Sequence, residues 1–199
     1  MTLYRILRPI AWLILKLWNR LEVHGLENLP PQGKLIVVAN HVSVLDPIVL
    51  GVGLPRPIRF MAKKELFDIP VLGGLISLLG SFPVDRNKTD FQAVKQSLRI
   101  LASQEVLGIF PEGGTRKNAT RIVFSTGAAA IALKSKSPVL PVAIIGTASI
   151  PKAILFGKLK VNIGPVITWP QQYEGKLQDD DVERLTREME KAVQGLKSA

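Results

Sequence analysis

The chain contains no cysteine, which excludes disulfide staples, thiolate nucleophiles and cysteine-ligated zinc. It has two histidines among 199 residues. A histidine-based metal centre would need a supporting carboxylate cluster that the sequence does not display, so neither a metal nor a bound cofactor is expected. Aromatic residues make up only 6% and do not interleave with basic ones as a base-stacking surface requires, so no nucleic-acid partner is expected. There is no Gly-x-Ser-x-Gly elbow, which sets aside a serine acyl-enzyme of the hydrolase kind. Neither a Walker phosphate loop nor a Gly-x-Gly-x-x-Gly turn occurs. The uninterrupted apolar run near the N-terminus, Pro9 to Leu15, falls short of the roughly 20 residues a bilayer span needs. No small-residue cleavage site follows it, which argues against a signal peptide.

Acidic residues are the other shortage: 16 Asp and Glu stand against 26 Lys and Arg, a net charge of +10. A chain this basic seeks an anionic partner. With 47% hydrophobic and 21% charged residues it reads as globular, and its length suits one domain with a small appendage. The first 20 residues read as that appendage. Leu3, Ile6, Leu7, Ile10, Leu13, Ile14, Leu17 and Trp18 recur at helical spacing, Trp12 adds a second amphipathic ring, and Arg5, Arg8, Lys16 and Arg20 carry positive charge with no acid among them. The pattern fits a helix lying in a membrane interface against anionic headgroups; a helix packed on a soluble core is the alternative.

Beyond it, apolar runs predict strands at 35–39, 58–62, 81–84, 106–110, 139–145 (broken at Pro141) and 159–163, with a further one at 166–168. Helices are predicted at 46–54, after a Thr89 cap with Phe91, Val94, Leu98 and Leu101 inward, at about 127–136, and at 179–196. Residues 66–80 are strongly apolar and glycine-bearing and suit a buried or surface-seeking helix. Alternating strands and helices imply an α/β fold: a mixed, largely buried sheet flanked by helices, with the amphipathic N-terminal helix ahead of it.

Polar groups collect where strands end: Asn40-His41, Lys63-Lys64, Asp85-Arg86 and Glu112 to Arg116. Ligands gather at such ends in open α/β sheets. His41 is followed five residues later by Asp46. An imidazole with an unperturbed pKa of roughly 6.5 is a ready general base, and a carboxylate fixes its tautomer and steadies the imidazolium. The plainer reading is that Asp46-Pro47 starts a helix, with Asp46 as N-cap, and that His41 is merely hydrogen-bonded. The cations suit a phosphorylated ligand, since Arg grips phosphate with two parallel bonds and Gly113 and Gly114 let backbone amides approach it. His24 has no carboxylate pattern around it and reads as structural or exposed.

Four segments carry a resemblance: His41-x-x-x-x-Asp46, Gly80-Ser-Phe-Pro-Val-Asp-Arg86, Phe110-Pro-Glu-Gly-Gly-Thr-Arg116 and Val139-Leu-Pro-Val-Ala143. In this order, over about residues 20 to 170, the chain resembles the glycerolipid acyltransferases, in particular bacterial 1-acylglycerol-3-phosphate acyltransferases. The third segment has one glycine more than that family's usual pattern. The resemblance implies an interfacial helix at 1–20 and an acyltransferase domain at 21–199. It implies His41 as general base and Asp46 as its orienter, and Arg86, Glu112, Gly113, Thr115 and Arg116 around the glycerol phosphate of the acceptor, with Lys63 as a further candidate. The fourth segment would serve the acyl chain or the framework. The implied reaction moves an acyl chain from a thioester of acyl carrier protein or coenzyme A to the sn-2 hydroxyl of lysophosphatidate, with no metal. The implied location is peripheral, on the cytoplasmic face of the cell membrane. Two alternatives stay open: a related acyltransferase for glycerol 3-phosphate or another lysolipid, and a non-catalytic membrane-surface lipid-binding protein.

Overall fold

Leu35-Ile36-Val37-Val38-Ala39 shows no polar alternation, and all five residues are buried. A strand covered on both faces reads this way. It is β2 (Leu35–Ala39) of a computed structural model that describes residues 2–85, 90–113, 122–148, 157–168 and 179–198. Around it lie β1 (Glu22–His24), β3 (Ile58–Lys63), β4 (Phe82–Val84), β5 (Val106–Ile109), β6 (Val139–Ile145) and β7 (Lys160–Ile163). The seven form one sheet in the order β1-β7-β6-β2-β5-β3-β4. Every pairing is parallel except β6 with β7. The sheet is mixed and covered by helices on both faces, as the alternation of elements implied.

Side chains of β2 alternate between two cores. Ile36 and Val38 join the one formed with α4 (Phe91–Ala102), α5 (Gly127–Ser135) and α6 (Asp179–Ser198). Leu35, Val37 and Ala39 join the one formed with α2 (Asp46–Gly53), onto which Ala11 and Leu15 of α1 (Thr2–Trp18) pack. Leu185, Met189 and Val193 make the buried stripe of α6 predicted from its spacing. Gly108 lies in the middle of β5, where a Cβ would sit 2.6 Å from side-chain carbons of both Ile58 and Phe60. Gly108→Val should therefore lower stability by about 1–3 kcal/mol through overpacking, read as a fall in the urea midpoint.

Several details depart from the sequence expectation. Pro141 does not break β6. Its carbonyl accepts from the Gly164 N–H at 2.9 Å, so its nitrogen also faces the β7 side. The β6–β7 ladder has already ended at Val142↔Ile163, so no donor is needed there. The N-cap of α4 is Asp90, whose carboxylate accepts from the amides of Gln92 and Ala93; Thr89 lies outside the described residues. The amides of Asp85, Ala93 and Gln92 hold the Asp90 carboxyl below the usual carboxylate range. The inward face of α4 is Ala93, Ser97, Ile100 and Leu101, with Leu98 packed beside them as expected, while Phe91 is 77% exposed. Residues 66–80 form turns and one short helix, α3 (Leu72–Leu78), in which only Gly73 is buried.

The N-terminal helix is tied to α2 at its carbonyl end. Tyr4 donates its hydroxyl hydrogen to Gly51 O at 2.6 Å, and Arg8 Nε donates to Leu54 O at 2.9 Å. Burial pushes the Tyr4 pKa up to about 12. A raised acid pKa stabilises the folded form below the unfolded value near 10, and that stabilisation is lost as pH climbs toward 12. Far-ultraviolet circular dichroism should show α1 loosening across that window in the wild type. Tyr4→Phe, which lacks the titrating hydroxyl, should show no such transition.

Candidate active site

The strand order places a switch point beside β2. From β2 the chain runs through α2 to β3, on one side; from β5 it runs through α5 to β6, on the other. α2 covers one face and α5 the opposite one. A crevice opens between the carboxyl ends of strands where connections diverge like this, and ligands bind there in open α/β sheets. His41 and Glu112 stand at those two ends.

Beyond Ala39 the sheet ladder stops, and side chains replace it. Asn40 Nδ2 donates to Ile144 O at 2.9 Å while Ile144 N–H donates to Asn40 Oδ1 at 2.8 Å. This amide pair clamps the end of β2 to β6. Next comes His41, 8% exposed, then a tight turn into α2. Asp46 is the first residue of α2 rather than its cap; the N-cap position is Leu45, with no side-chain cap. The carboxylate turns back into the preceding loop instead. Its Oδ2 accepts from the His41 ring Nδ1–H at 2.9 Å, from Val42 N–H at 2.7 Å and from Ser43 N–H at 2.8 Å. Pro47 in the first turn pre-sets the backbone that aims it.

Asp46 is 0% exposed, and its Oδ1 makes no hydrogen bond among the described residues. A fully buried carboxylate with an orphan oxygen is costly, and natural structures keep such groups mainly where chemistry uses them. A carboxylate can only accept, so the ring hydrogen sits on Nδ1. The lone pair of the neutral imidazole is then on Nε2, the arrangement a general base needs.

The ring is fixed on its face as well. Phe110 stacks on His41 with centroids 4.4 Å apart, and Phe60 stacks on Phe110 at 5.8 Å. Glu112, 8% exposed, accepts the His41 backbone N–H at 2.8 Å through Oε1. Sequence reasoning placed Phe110 in the third segment but gave it no role. The signal was available: it is the last apolar residue before a polar strand end next to β2.

Of the other residues singled out from the sequence, Gly113 follows Glu112 with φ 71°, a backbone conformation that favours glycine. Lys63 ends β3 half-exposed and pairs with Glu65 at 3.4 Å; no contact joins it to His41. Arg86, Thr115 and Arg116 lie outside the described residues. Their flanks are anchored. Asp85 directly follows β4 and holds Lys64 at 2.8 Å, and Pro111 O accepts from Ser125 N–H at 2.9 Å. β4 stands three strands from β2, on the order of 14 Å at roughly 4.8 Å per strand. The Val139–Ala143 segment is wholly buried in β6 and serves the framework. His24 is exposed beside Glu22. Among the described residues no group of His, Asp and Glu has a metal-holding arrangement.

A second feature adjoins the pair. A cavity of about 270 Å³ runs beneath α2, lined by Pro47, Ile48, Gly51 and Val52 from that helix, Leu7 and Ala11 from α1, Leu75, Ile76 and Leu79 from the α3 region, and Ile58 and Phe60 from β3. Its wall is almost wholly hydrocarbon. Pro47 follows Asp46 directly, and Phe60 is one ring removed from the Phe110–His41 stack.

Comparisons with known proteins agree on this region. The Acyltransferase family profile matches residues 20–145. The chain is 34% identical over 163 residues to the 1-acyl-sn-glycerol-3-phosphate acyltransferase of Bacillus subtilis, covering 81% of each. It is 29% identical over 199 residues to the protein of that name from Streptococcus pneumoniae, covering 97% of this chain and 72% of that one. The crystal structure of the 1-acyl-sn-glycerophosphate (LPA) acyltransferase PlsC from Thermotoga maritima superposes with a TM-score of 0.69 at 25% identity, covering 95% of this chain and 79% of that one.

Proposed function

The chain is an enzyme of the acyltransferase family, and from that premise we propose that it moves an acyl chain from an acyl thioester to the sn-2 hydroxyl of 1-acylglycerol 3-phosphate, producing phosphatidate for phospholipid synthesis. The observation that carries this reading is the buried His41–Asp46 pair, with Nδ1 committed to the carboxylate at 2.9 Å, set at the edge of an apolar cavity.

His41 Nε2 takes the proton of the acceptor hydroxyl as its oxygen attacks the thioester carbonyl carbon. The carbon–sulfur bond then breaks, and the imidazolium returns the proton to the departing thiolate. The step balances without an acyl-enzyme or a metal. The cavity suits an acyl chain, since its walls are mostly hydrocarbon, with Tyr4, Arg8 and Ser81 the polar residues among them. Arg86 and Arg116 would hold the phosphate, helped by Gly113 and Thr115, with Lys63 as an outlying cation. The distance from β2 to β4, on the order of 14 Å, leaves room for a glycerol phosphate beside His41. The donor is a thioester of coenzyme A or of acyl carrier protein, the latter a potential docking partner.

The membrane reading of residues 1–20 gains support from how α1 divides its faces. Tyr4, Arg8, Ala11 and Leu15 point at the body of the protein. Ile6, Ile10, Leu13 and Leu17 form the opposite stripe and are exposed, Leu17 by 75%, with Ile14 and Trp18 exposed at its flank. No described helix is long and apolar enough to cross a membrane. Such a stripe suits a helix lying in the interface of the cytoplasmic leaflet, held by hydrocarbon burial and by the cations of the chain. Arg8 and Lys16 are partly engaged by Leu54 O and Leu21 O, so Arg5 and Arg20 carry more of the headgroup attraction. Replacing Ile14 and Leu17 together by Asp should abolish co-sedimentation with vesicles containing anionic lipid and leave thermal unfolding unchanged.

The acceptor is tested by offering one acyl donor to lysophosphatidate, glycerol 3-phosphate and other lysolipids in parallel. Preferential phosphatidate formation supports the assignment. Preference for another acceptor moves it within the family, and vesicle binding with no transfer to any acceptor returns it to a lipid-binding protein.

A further inference from the structure

We infer that Glu112 acts through His41, as a positioning residue that holds the backbone of the base, and does not touch the acceptor's glycerol phosphate. The inference rests on the reading of His41 as the base. The β2–β5 ladder ends at the pair Val38↔Ile109. Continued by three residues, that register sets His41 level with Glu112, past the last backbone bond. The His41 N–H would there be a buried donor without a strand to accept it. The Glu112 carboxylate supplies the acceptor at 2.8 Å and extends the ladder with a side chain, as Asn40 does toward β6 on the other flank. A bond to an ionised acceptor is the stronger kind, which suits a place where the chain must not shift.

The same tripeptide, Phe110-Pro111-Glu112, also lays the Phe110 ring on the imidazole at 4.4 Å. Three contacts therefore fix His41: its backbone by Glu112, its ring face by Phe110 and its Nδ1 by Asp46. Contact with substrate fits Glu112 poorly. Its carboxylate can only accept, and brought against phosphate it adds like-charge repulsion at short range.

Glu112→Gln keeps an oxygen that can accept the His41 N–H and removes the charge; Glu112→Ala removes both. Hydrogen exchange of the peptide containing residues 38–44 is followed together with kcat and the KM for lysophosphatidate. The His41 amide should stay protected in wild type and in Glu112→Gln and exchange faster in Glu112→Ala. Glu112→Gln should lose less than about tenfold in kcat, the difference between a charged and a neutral acceptor. Glu112→Ala should lose about 10²-fold, the usual penalty for misplacing a reacting group by roughly 1 Å, with acceptor KM unchanged in both. A raised acceptor KM with unchanged kcat in Glu112→Gln overturns the inference. So does an equal loss of kcat in both variants, or unaltered protection and kcat in Glu112→Ala. If Glu112→Ala does not fold, Glu112→Gln decides through its KM, kcat and exchange. If the wild type does not acylate lysophosphatidate, the functional reading fails and the exchange measurements still decide whether Glu112 holds His41.

Discussion

His41→Ala is expected to lower acyl transfer by about 10²–10⁴-fold, the contribution of a positioned general base, with little change in the circular dichroism spectrum. The imidazole is the group whose Nε2 faces away from Asp46, since Nδ1 is bonded to the carboxylate at 2.9 Å. No other histidine can substitute: His24 lies at the end of β1, the edge strand three places from β2 in the sheet. Removing the ring leaves the local frame standing. Asp46 still caps the amides of Val42 and Ser43, and Asn40 still clamps β2 to β6. The variant gives up the Phe110 stacking contact and the Nδ1–H bond to Asp46, whose Oδ2 keeps its two backbone donors, so some stability is lost but no buried backbone donor is left unpaired. Chemistry and folding should therefore separate cleanly in this variant, unlike in the next.

Asp46→Ala is expected to lose both. Two buried backbone donors, Val42 N–H and Ser43 N–H, would be left without their acceptor along with the ring. Each unpaired group costs about 1–3 kcal/mol, a large share of the 5–15 kcal/mol that holds a typical domain together. A fall in the unfolding midpoint should accompany the loss of turnover. Asp46→Asn divides the two effects. Its carbonyl oxygen can still accept from the two amides, so most of the stability should return. One oxygen, Oδ2, already serves the two amides and the ring in the wild type; an uncharged amide oxygen in its place accepts more weakly and does not stabilise an imidazolium. Transfer should stay at least about 10²-fold below wild type, because the bond that orients the base is weakened and its counter-charge is gone. Wild-type turnover in Asp46→Asn, in a folded protein, would remove Asp46 from the mechanism.

How much of this was legible in the chain depends on how local the signal was. β2 announced itself because five apolar residues in a row fit a strand covered on both faces, and the His41–Asp46 spacing placed a base beside a carboxylate. The stripe of α6 was equally plain, since Leu185, Met189 and Val193 repeat at helical intervals. Long-range partners left weaker marks. Nothing in Glu112 says that it would accept the His41 amide; that bond exists because β2 and β5, separated by 66 residues of chain between Ala39 and Val106, lie side by side. Phe91 looked like a core residue by its size, yet the face of α4 turned to the sheet belongs to Ala93 and Ser97, small enough for close approach. Pro141 looked like a break because its missing donor matters only if a neighbour needs it, and none does at that point. Asp46 looked like an N-cap by its position before Pro47. The three donors ahead of it, at His41, Val42 and Ser43, drew the carboxylate backward instead.

The measurement that bears most directly on the whole reading is phosphatidate formed from 1-acylglycerol 3-phosphate and an acyl thioester, followed by mass spectrometry for wild type and His41→Ala side by side. Wild type should accumulate the diacyl product, with the new chain on the sn-2 oxygen, and His41→Ala should make at most about a hundredth as much in the same time. Near-equal product from the two proteins would contradict a mechanism built on His41 as the base.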